Sequence, residues 1–188
     1  VMNGFKLELQ DRIIGFNGHL YINKLGENID DFAINENEFA NIKFVDPNIT
    51  FQSLMISSNK NNGVLVKAID PKNLKNYDLI YKNLNTNMLD PLSSNSIILG
   101  DMLALKLGLT IGSKIKLYST QTIMTPFGSL PKSKEFEISG TFHSGMSEYD
   151  NNFTLISLEN GQNLTSSLDQ VSIIEIHLKN PNKIDDTK

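Results

Sequence analysis

Alternating and helically spaced apolar residues divide most of the chain into short strands and helices. The acidic segment 28–42 permits one helix or two short ones, and 159–168 predicts another helix. The order strand–helix–strand therefore occurs twice, at 18–58 and at 152–179. In the first unit, the second strand is expected to be interrupted at Pro47. Two such units around a β-rich middle predict an α+β fold with an inserted β subdomain. Five segments have the alternation or β-branched content typical of strands: 18–24, 43–58, 64–70, 152–158 and 171–179.

The most regular pattern lies in the middle of the chain. The run Ile97–Leu99 predicts a short buried strand, and Leu103, Ala104 and Leu107 lie on one face of a predicted helix. Gly108 follows this helix and can end it in the left-handed conformation. Two alternating strands come next, each with two inward-facing residues: Ile115 and Leu117, then Phe136 and Ile138.

An unusually long connection joins these two strands. A tight hairpin needs about two to five residues, whereas this connection runs from about Thr120 to Lys134. Pro126 and Pro131 restrict its backbone, so we expect an ordered loop. Loop tips are usually polar, but this one carries three large apolar side chains, which either fold back onto the body or wait for a partner: Met124, Phe127 and Leu130.

Residues at the start of the chain predict an amphipathic helix. No capping box precedes it, and the first residue is Val1, so we expect an excised or processed fragment whose helix continues upstream. A natural terminal helix with a frayed end is the alternative. The apolar residues recur at spacings of three and four: Met2, Phe5, Leu9, Ile13 and Phe16.

Composition excludes several classes of function. The 188 residues suit one domain or two small intertwined ones, and the net charge of −4 argues against a nucleic-acid surface. There is no cysteine, which excludes disulfides, thiolate metal sites and thiol catalysis. No apolar run approaches the ~20 residues that span a bilayer.

The sequence offers no residue set for catalysis. His143, Glu148 and Asp150 are spaced in a way that fits no strong metal motif, and a turn with solvated carboxylates is the favoured interpretation. There is no P-loop, GxSxG, HExxH or GxGxxG sequence. We therefore predict a non-catalytic chain without a cofactor or metal, and an ordered buried acid–base pair in a cleft would revive the enzyme interpretation.

Four lysines flank the long connection of this otherwise acidic chain. One interpretation is that these lysines protect exposed strand edges from pairing with other chains. The other is that they form a positively charged surface below the apolar tip, which suits a partner with an acidic rim and an apolar groove. The sequence leaves both alternatives open for Lys114, Lys116, Lys132 and Lys134.

Four segments resemble the periplasmic domain of LolC/LolE-type subunits, the transmembrane subunits of the ABC transporter that releases lipoproteins from the inner membrane. The LGxxLAxxLGL pattern in the second segment is shared by the wider MacB-like group, whereas the TPxGxxP pattern at 125–131 is more specific. LolE-type subunits lack a projecting hairpin with this proline-containing pattern, so the resemblance favours a LolC-like or single-subunit version. The segments are 1–22, 97–119, 124–142 and 145–164.

The resemblance implies a MacB-like periplasmic fold with three parts. Residues 1–16 would be a stalk helix that continues a transmembrane helix. Residues 17–60 and 148–188 would form an αβ porter subdomain from the two strand–helix–strand units. Residues 61–147 would form a β-rich Sabre subdomain that carries a long hairpin, the hook, at about 120–131.

The resemblance also implies a partner-binding site. The hook would dock into a LolA-like periplasmic chaperone, with a small polar pad near its base made of Lys116, Ser133 and Lys134. Both lysines stand where the family has arginine, Ser133 replaces a glutamine, and Phe127 replaces a tip methionine, so pad contacts would be looser because Lys lacks the bidentate fork of Arg. The hook residues are Thr120, Gln121, Thr122, Ile123, Met124, Thr125, Pro126, Phe127, Gly128, Ser129, Leu130 and Pro131.

The partners implied by the resemblance are the LolA-like chaperone, lipoprotein cargo, a LolD-like cytoplasmic ATPase subunit that hydrolyses ATP, and a second transmembrane subunit, either LolE-like or another copy. The expected location is the periplasmic side of an inner-membrane protein, with no nucleic acid involved. The alternative function is a MacB-like efflux or mechanotransmission domain that docks an outer-membrane partner, although that role does not require a TPxGxxP loop.

Overall fold

The structure is a computed structural model that describes residues 17–28, 41–58, 60–93, 95–126, 128–167 and 170–180. The predicted helix at the start of the chain lies outside the described residues. Most of the predicted helical segment 28–42 does so too.

The described residues form a mixed sheet of nine strands in the order β1-β9-β2-β3-β8-β5-β7-β4, with β6 paired to both β2 and β7. Most neighbours are antiparallel, but β3 pairs with β8 and β5 with β7 in parallel. The strands are β1 (Leu20–Asn28), β2 (Ile42–Ile56), β3 (Asn61–Ile69), β4 (Leu84–Thr86), β5 (Ser96–Gly100), β6 (Lys114–Thr125), β7 (Gly128–Phe142), β8 (Phe153–Ser157) and β9 (Gln170–Leu178).

Short helices cover both faces of this sheet. The predicted helix in the middle of the chain is confirmed, and Gly108 ends it with φ 71° and ψ 35°. The predicted strand–helix–strand unit at 152–179 is also confirmed, and so is the α+β class. The helices are a 3₁₀ helix (Pro71–Asn76), α1 (Asp78–Tyr81), α2 (Asp101–Leu107), α3 (Ser147–Asn152) and α4 (Leu158–Thr165). None of the helices in the described part of the chain is long and apolar enough to cross a bilayer.

Strand β5 shows where the core lies. Ile97 and Leu99 belong to an apolar cluster that includes residues of α2 and α4, whereas Ile98 belongs to a second cluster with residues of the 3₁₀ helix and α1. Because successive side chains of a strand point to opposite faces, the two clusters lie on opposite sides of the sheet. The short buried strand predicted at 97–99 is therefore confirmed, with both faces covered.

The interruption predicted at Pro47 is wrong, because β2 runs through it. Pro47 stands opposite Ile174 of β9, and the first partner of β2 on β3 is reached only at Ile49, which pairs with Ala68. At Pro47 the strand thus has a neighbour on one side only. Proline is tolerated there, since its missing N–H removes no bond from a second ladder.

Candidate partner-binding hairpin

Strands β6 and β7 form a hairpin that is paired almost to its end. Their register runs through Thr122–Pro131 and Ile123–Leu130 to Thr125–Gly128, so only residues 126 and 127 lie between the strands. The predicted long loop is therefore wrong: most of it is strand. Gly128 has φ 116°, which glycine tolerates because it has no Cβ, and this conformation allows the tight reversal. Pro131 is accommodated because the outer part of β7 pairs with β6 alone.

A bulge divides the hairpin into an inner and an outer part. Tyr118 pairs with Ser133 and Thr122 with Pro131, so residues 119–121 of β6 stand opposite Lys132 alone. The last pair between β6 and β2 is Ser119–Ser53. From Lys116 to Tyr118, β6 is paired with both β2 and β7, and after the bulge it is paired with β7 alone.

The outer hairpin exposes large apolar side chains. Met124 is 85% exposed, Leu130 53% and Ile123 44%. Ile123 and Leu130 are direct cross-strand partners, so they share one face, and Met124 points to the other. Phe127 lies outside the described residues, and its exposure stays a prediction. The other predicted hook residues whose side chains are described are also exposed: Thr120, Gln121, Thr122, Pro126, Ser129 and Pro131.

Helix α4 holds the neck of the hairpin. Lys132 Nζ donates a hydrogen bond to the carbonyl oxygen of Asn163 at 2.8 Å, and Lys134 Nζ donates to Oδ1 of Asn160. Asn160 is 2% exposed, and its backbone N–H donates a hydrogen bond to the side chain of Ser157, the N-cap of α4. Sequence reasoning missed this anchor, although Ser157 just before the predicted helix is an N-cap signal that places α4.

The three predicted pad residues do not share one face. Lys116 pairs with Glu135, and Tyr118 pairs with Ser133, so Lys116 and Ser133 lie on the same side of the hairpin. Lys134 pairs with the buried Leu117 and faces α4. The structure thus brings Lys116 and Ser133 together and turns Lys134 to the opposite face.

The face that carries Lys116 contains both charge signs. Lys114 Nζ lies 3.4 Å from a carboxylate oxygen of Glu135, and both side chains are mostly exposed. Lys116 Nζ lies 5.3 Å from the centre of the Tyr118 ring, within cation–π range. The base of the hairpin is therefore mixed rather than uniformly basic.

A groove of about 410 Å³ runs between the hairpin and α4. Its apolar lining comes from Ile123, Leu130 and Leu164, and Lys132, Lys134 and Asn163 line it at the neck. An extended apolar tip beside a polar neck is an arrangement that suits a partner with an apolar pocket and a polar rim.

The predicted turn at 143–150 is more ordered than expected. Asp150 is 2% exposed, not solvated, and accepts hydrogen bonds from the backbone and hydroxyl of Ser144, each at 2.7 Å. His143 Nδ1 lies 3.0 Å from Oδ2 of Asp101 and 3.3 Å from Oδ2 of Asp150, whereas Glu148 is exposed and lies outside this group. Asp101 escaped the sequence reasoning because it is 42 residues away from His143.

A buried ion pair lines a second cavity, of about 210 Å³. Lys67 Nζ lies 2.7 Å from Oε2 of Glu175, and both side chains are nearly inaccessible to solvent. Burial alone would raise the pKa of Glu175, but His177, with Nε2 3.5 Å away, and the Lys67 ammonium outweigh burial and lower it. A carboxylate whose pKa is lowered in this way is a weaker general base near neutral pH, so this pair does not favour the acid–base chemistry that would revive the enzyme interpretation.

No protein-family model matches the chain. It is 26% identical over 172 residues to the lipoprotein-releasing system transmembrane protein LolC of Xylella fastidiosa, which covers 87% of the chain and 41% of that relative. The LolC of Buchnera aphidicola is 30% identical over 190 residues, with 96% of the chain and 46% of that relative covered. The chain thus spans less than half the length of the curated relatives it matches.

Two solved structures share the fold. The periplasmic region of MacB from Actinobacillus actinomycetemcomitans matches with a TM-score of 0.56 and 13% identity, over 84% of this chain and 66% of that one. The extracellular domain of the noncanonic ABC-type transporter YknZ from Gram-positive bacteria matches with a TM-score of 0.54 and 13% identity, over 86% and 78%. The resemblance predicted from the sequence is therefore confirmed: the chain is similar to LolC proteins in sequence and has the fold of the MacB periplasmic region.

Proposed function

We propose that this chain is the periplasmic part of a membrane subunit of an ABC transporter that releases lipoproteins from the inner membrane. The outer β6–β7 hairpin would act as a hook that recruits a LolA-like periplasmic chaperone, and the chaperone would then receive the lipoprotein. Similarity to LolC proteins over most of the chain supports the transporter class.

The observation that carries the hook proposal is the exposure of Met124, Leu130 and Ile123 on a hairpin beyond the last contact with β2. Large apolar side chains that remain in water on a projecting hairpin add nothing to the folding stability of a monomer, whereas the groove of a partner would bury them. Burial of each such side chain contributes about 1.5–3 kcal/mol. The ladder hydrogen bonds and the two prolines limit the flexibility that binding would have to remove.

The remaining parts follow the same proposal. Residues 1–16 would be the stalk helix, 17–60 and 148–188 the porter subdomain, and 61–147 the Sabre subdomain. ATP hydrolysis would belong to a LolD-like cytoplasmic subunit, so this chain would not be an enzyme. A second transmembrane subunit, LolE-like or a second copy, would complete the transporter.

The test is a paired measurement of chaperone affinity and thermal stability for Met124→Asp and Phe127→Asp. A charge on the tip would cost several kcal/mol in an apolar groove, so each variant should weaken capture of a LolA-like chaperone by about 100-fold or more. Met124 already faces water, so Met124→Asp should leave the Tm of the chain unchanged.

Leu89→Asp is the matched control, because Leu89 is fully exposed but lies outside the hairpin. It should bind the chaperone like the unmodified chain. Unchanged affinity in both tip variants would overturn the hook proposal, and a collapse of the Tm in Phe127→Asp would show that Phe127 is a core residue.

The fold also favours one alternative. Similarity to the MacB periplasmic region supports a mechanotransmission domain that docks an outer-membrane partner. Such a domain needs no apolar tip, so full transport activity in Met124→Asp would support it over the hook.

A further inference from the structure

Outside the hairpin, three potential metal ligands converge from separate parts of the chain. Asp101 is the first residue of α2, His143 follows β7, and Asp150 lies in α3. One ligand atom from each lies within 4.8 Å of the others. We propose that Asp101, His143 and Asp150 form a binding site for a divalent transition-metal ion, with Zn²⁺ as the best fit.

The distances between ligand atoms match those of a metal site. Zinc binds imidazole nitrogen and carboxylate oxygen at about 2.0–2.2 Å, so neighbouring ligands around a tetrahedral ion lie about 3.3 Å apart. His143 Nδ1 lies 3.0 Å from Asp101 Oδ2 and 3.3 Å from Asp150 Oδ2. Both distances are therefore close to the spacing of neighbouring ligands around a tetrahedral ion.

The backbone fixes two of the ligands before any ion binds. A Cβ at Gly100 would lie 2.3 Å from the carbonyl oxygen of Asp150, so only glycine allows α2 to start this close to α3. The Asp150 carboxylate is oriented by Ser144, which donates to Oδ1 from its backbone and its hydroxyl, and by the Gly145 N–H, which donates to Oδ2 at 3.2 Å. Such supporting hydrogen bonds orient ligands and strengthen metal binding.

Without a bound cation, the carboxylates of Asp101 and Asp150 share a single histidine as their common partner. His143 Nδ1 carries at most one N–H, and two carboxylate oxygens face that atom. Oδ1 of Asp101 is also buried from solvent and has no hydrogen-bond partner among the described residues. A divalent cation bound by an unprotonated Nδ1 and by the two Oδ2 atoms neutralises both carboxylates.

The ligand set and its exposure point to a transition metal at an accessible site. One imidazole favours zinc or a neighbouring transition metal over magnesium, which prefers oxygen ligands alone. The His143 side chain is 60% exposed, so an ion enters from solvent and water completes its coordination. The bound ion would connect α2, the end of β7 and α3.

The test is titration of the chelator-treated chain with ZnCl₂, followed by calorimetry and by thermal melting. The unmodified chain should bind one ion, and its Tm should rise with zinc concentration, because a ligand that binds only the folded state stabilises it. His143→Ala and Asp101→Asn should each lose about tenfold or more in affinity and lose the Tm shift. Both side chains are partly exposed, so the variants should fold.

Asp90→Asn is the control, because Asp90 is an exposed carboxylate outside the three-residue group, and it should bind zinc like the unmodified chain. Binding that persists in both ligand variants, or no saturable binding in the unmodified chain, would overturn the proposal. A Tm shift with MgCl₂ equal to that with ZnCl₂ would overturn the assignment to a transition metal.

Discussion

Lys67 Nζ and Glu175 Oε2 lie 2.7 Å apart inside the protein and join β3 to β9, two strands that are not neighbours in the sheet. The same carboxylate oxygen accepts the backbone N–H of Gly18 at 3.1 Å. A Cβ on residue 18 would lie 2.8 Å from the Glu175 Cβ, so glycine is needed for this approach. Glu175 therefore ties two strands and the segment that precedes β1 to one point.

Glu175→Gln should destabilise the chain strongly. The substitution removes the carboxylate that pairs with the buried Lys67 ammonium at 2.7 Å, and breaking a buried ion pair costs about 3–5 kcal/mol. Urea denaturation would measure the loss. Lys114→Ala is the control, because it removes an exposed ion pair with Glu135 and should change the unfolding free energy by about 0–1 kcal/mol. Equal effects of the two substitutions would contradict the structural role of the buried pair.

The contribution of Glu175 to stability should depend on pH. Its pKa is lower in the folded state than the ordinary 4.5, so at acidic pH the unfolded chain binds more protons. The contribution is therefore complete above the unfolded pKa and is lost as the pH falls through the folded pKa. Unfolding free energies of the unmodified chain and Glu175→Gln should differ most near neutral pH and converge in acid.

Asp46 should show the opposite pH dependence. Burial raises the pKa of Asp46 above 3.8, although hydrogen bonds from Tyr77 and Asn73 and the nearby Lys67 oppose this. Its contribution is complete below the unfolded pKa and falls as the pH rises through the folded pKa. The stability of the unmodified chain relative to Asp46→Asn should thus decrease with rising pH. The same direction for Asp46→Asn and Glu175→Gln would refute one of the two assignments.

The two lysines at the base of the proposed hook should differ in their roles. Lys116 is exposed, so Lys116→Ala should slow chaperone association modestly, and more at low salt than at high salt. Lys134 bonds Asn160 of α4, so Lys134→Ala should also loosen the hairpin and raise amide hydrogen exchange in β7. Stopped-flow binding at two salt concentrations and exchange measurements would separate these effects. A loss of binding in Lys116→Ala that is equal at both salt concentrations would contradict an electrostatic role.

Close packing of α4 on β3 gives a further prediction. A Cβ at Gly161 would lie 2.2 Å from the Ala68 Cβ, so Gly161→Ala should cost about 1–3 kcal/mol by overpacking. Gly63→Ala is the matched control, because nothing lies within 4 Å of a Cβ there. Thermal melting of the two variants would test this, and a Tm for Gly161→Ala no lower than that of Gly63→Ala would contradict it.

Local patterns carried much of the fold. Leu117 and Phe136 alternate with polar residues, and Gly108 follows a helical repeat, so their placement follows from periodicity and local conformation alone. Pro47 and Pro131 lie within strands, contrary to the prediction. Proline is excluded only where a strand has neighbours on both sides, and the sequence does not show which strand segments have two neighbours.

Contacts between distant residues could not be predicted from the sequence. Lys67 and Glu175 are 108 residues apart, and Lys134 meets Asn160 only because α4 packs beside the hairpin neck. The exposed apolar tip was recognisable from the sequence, since Met124 just before Pro126 and Leu130 just before Pro131 are unusual residues for a turn region. Its extended ladder, and the separation of Lys134 from Lys116, depend on strand register, which composition does not specify.

The bulge at 119–121 separates the outer hairpin from the core, so the sequence of the outer hairpin can change independently of the core. Every described side chain from Thr120 to Pro131 is exposed, while the core positions of the same two strands end at Leu117 and Phe136. The pairing of β6 with β7 shifts at the bulge. Residues beyond it can therefore be substituted, or inserted in pairs, without moving any core side chain to the opposite face of the sheet. A change of sequence within this one contiguous segment therefore leaves the buried positions of both strands unaltered.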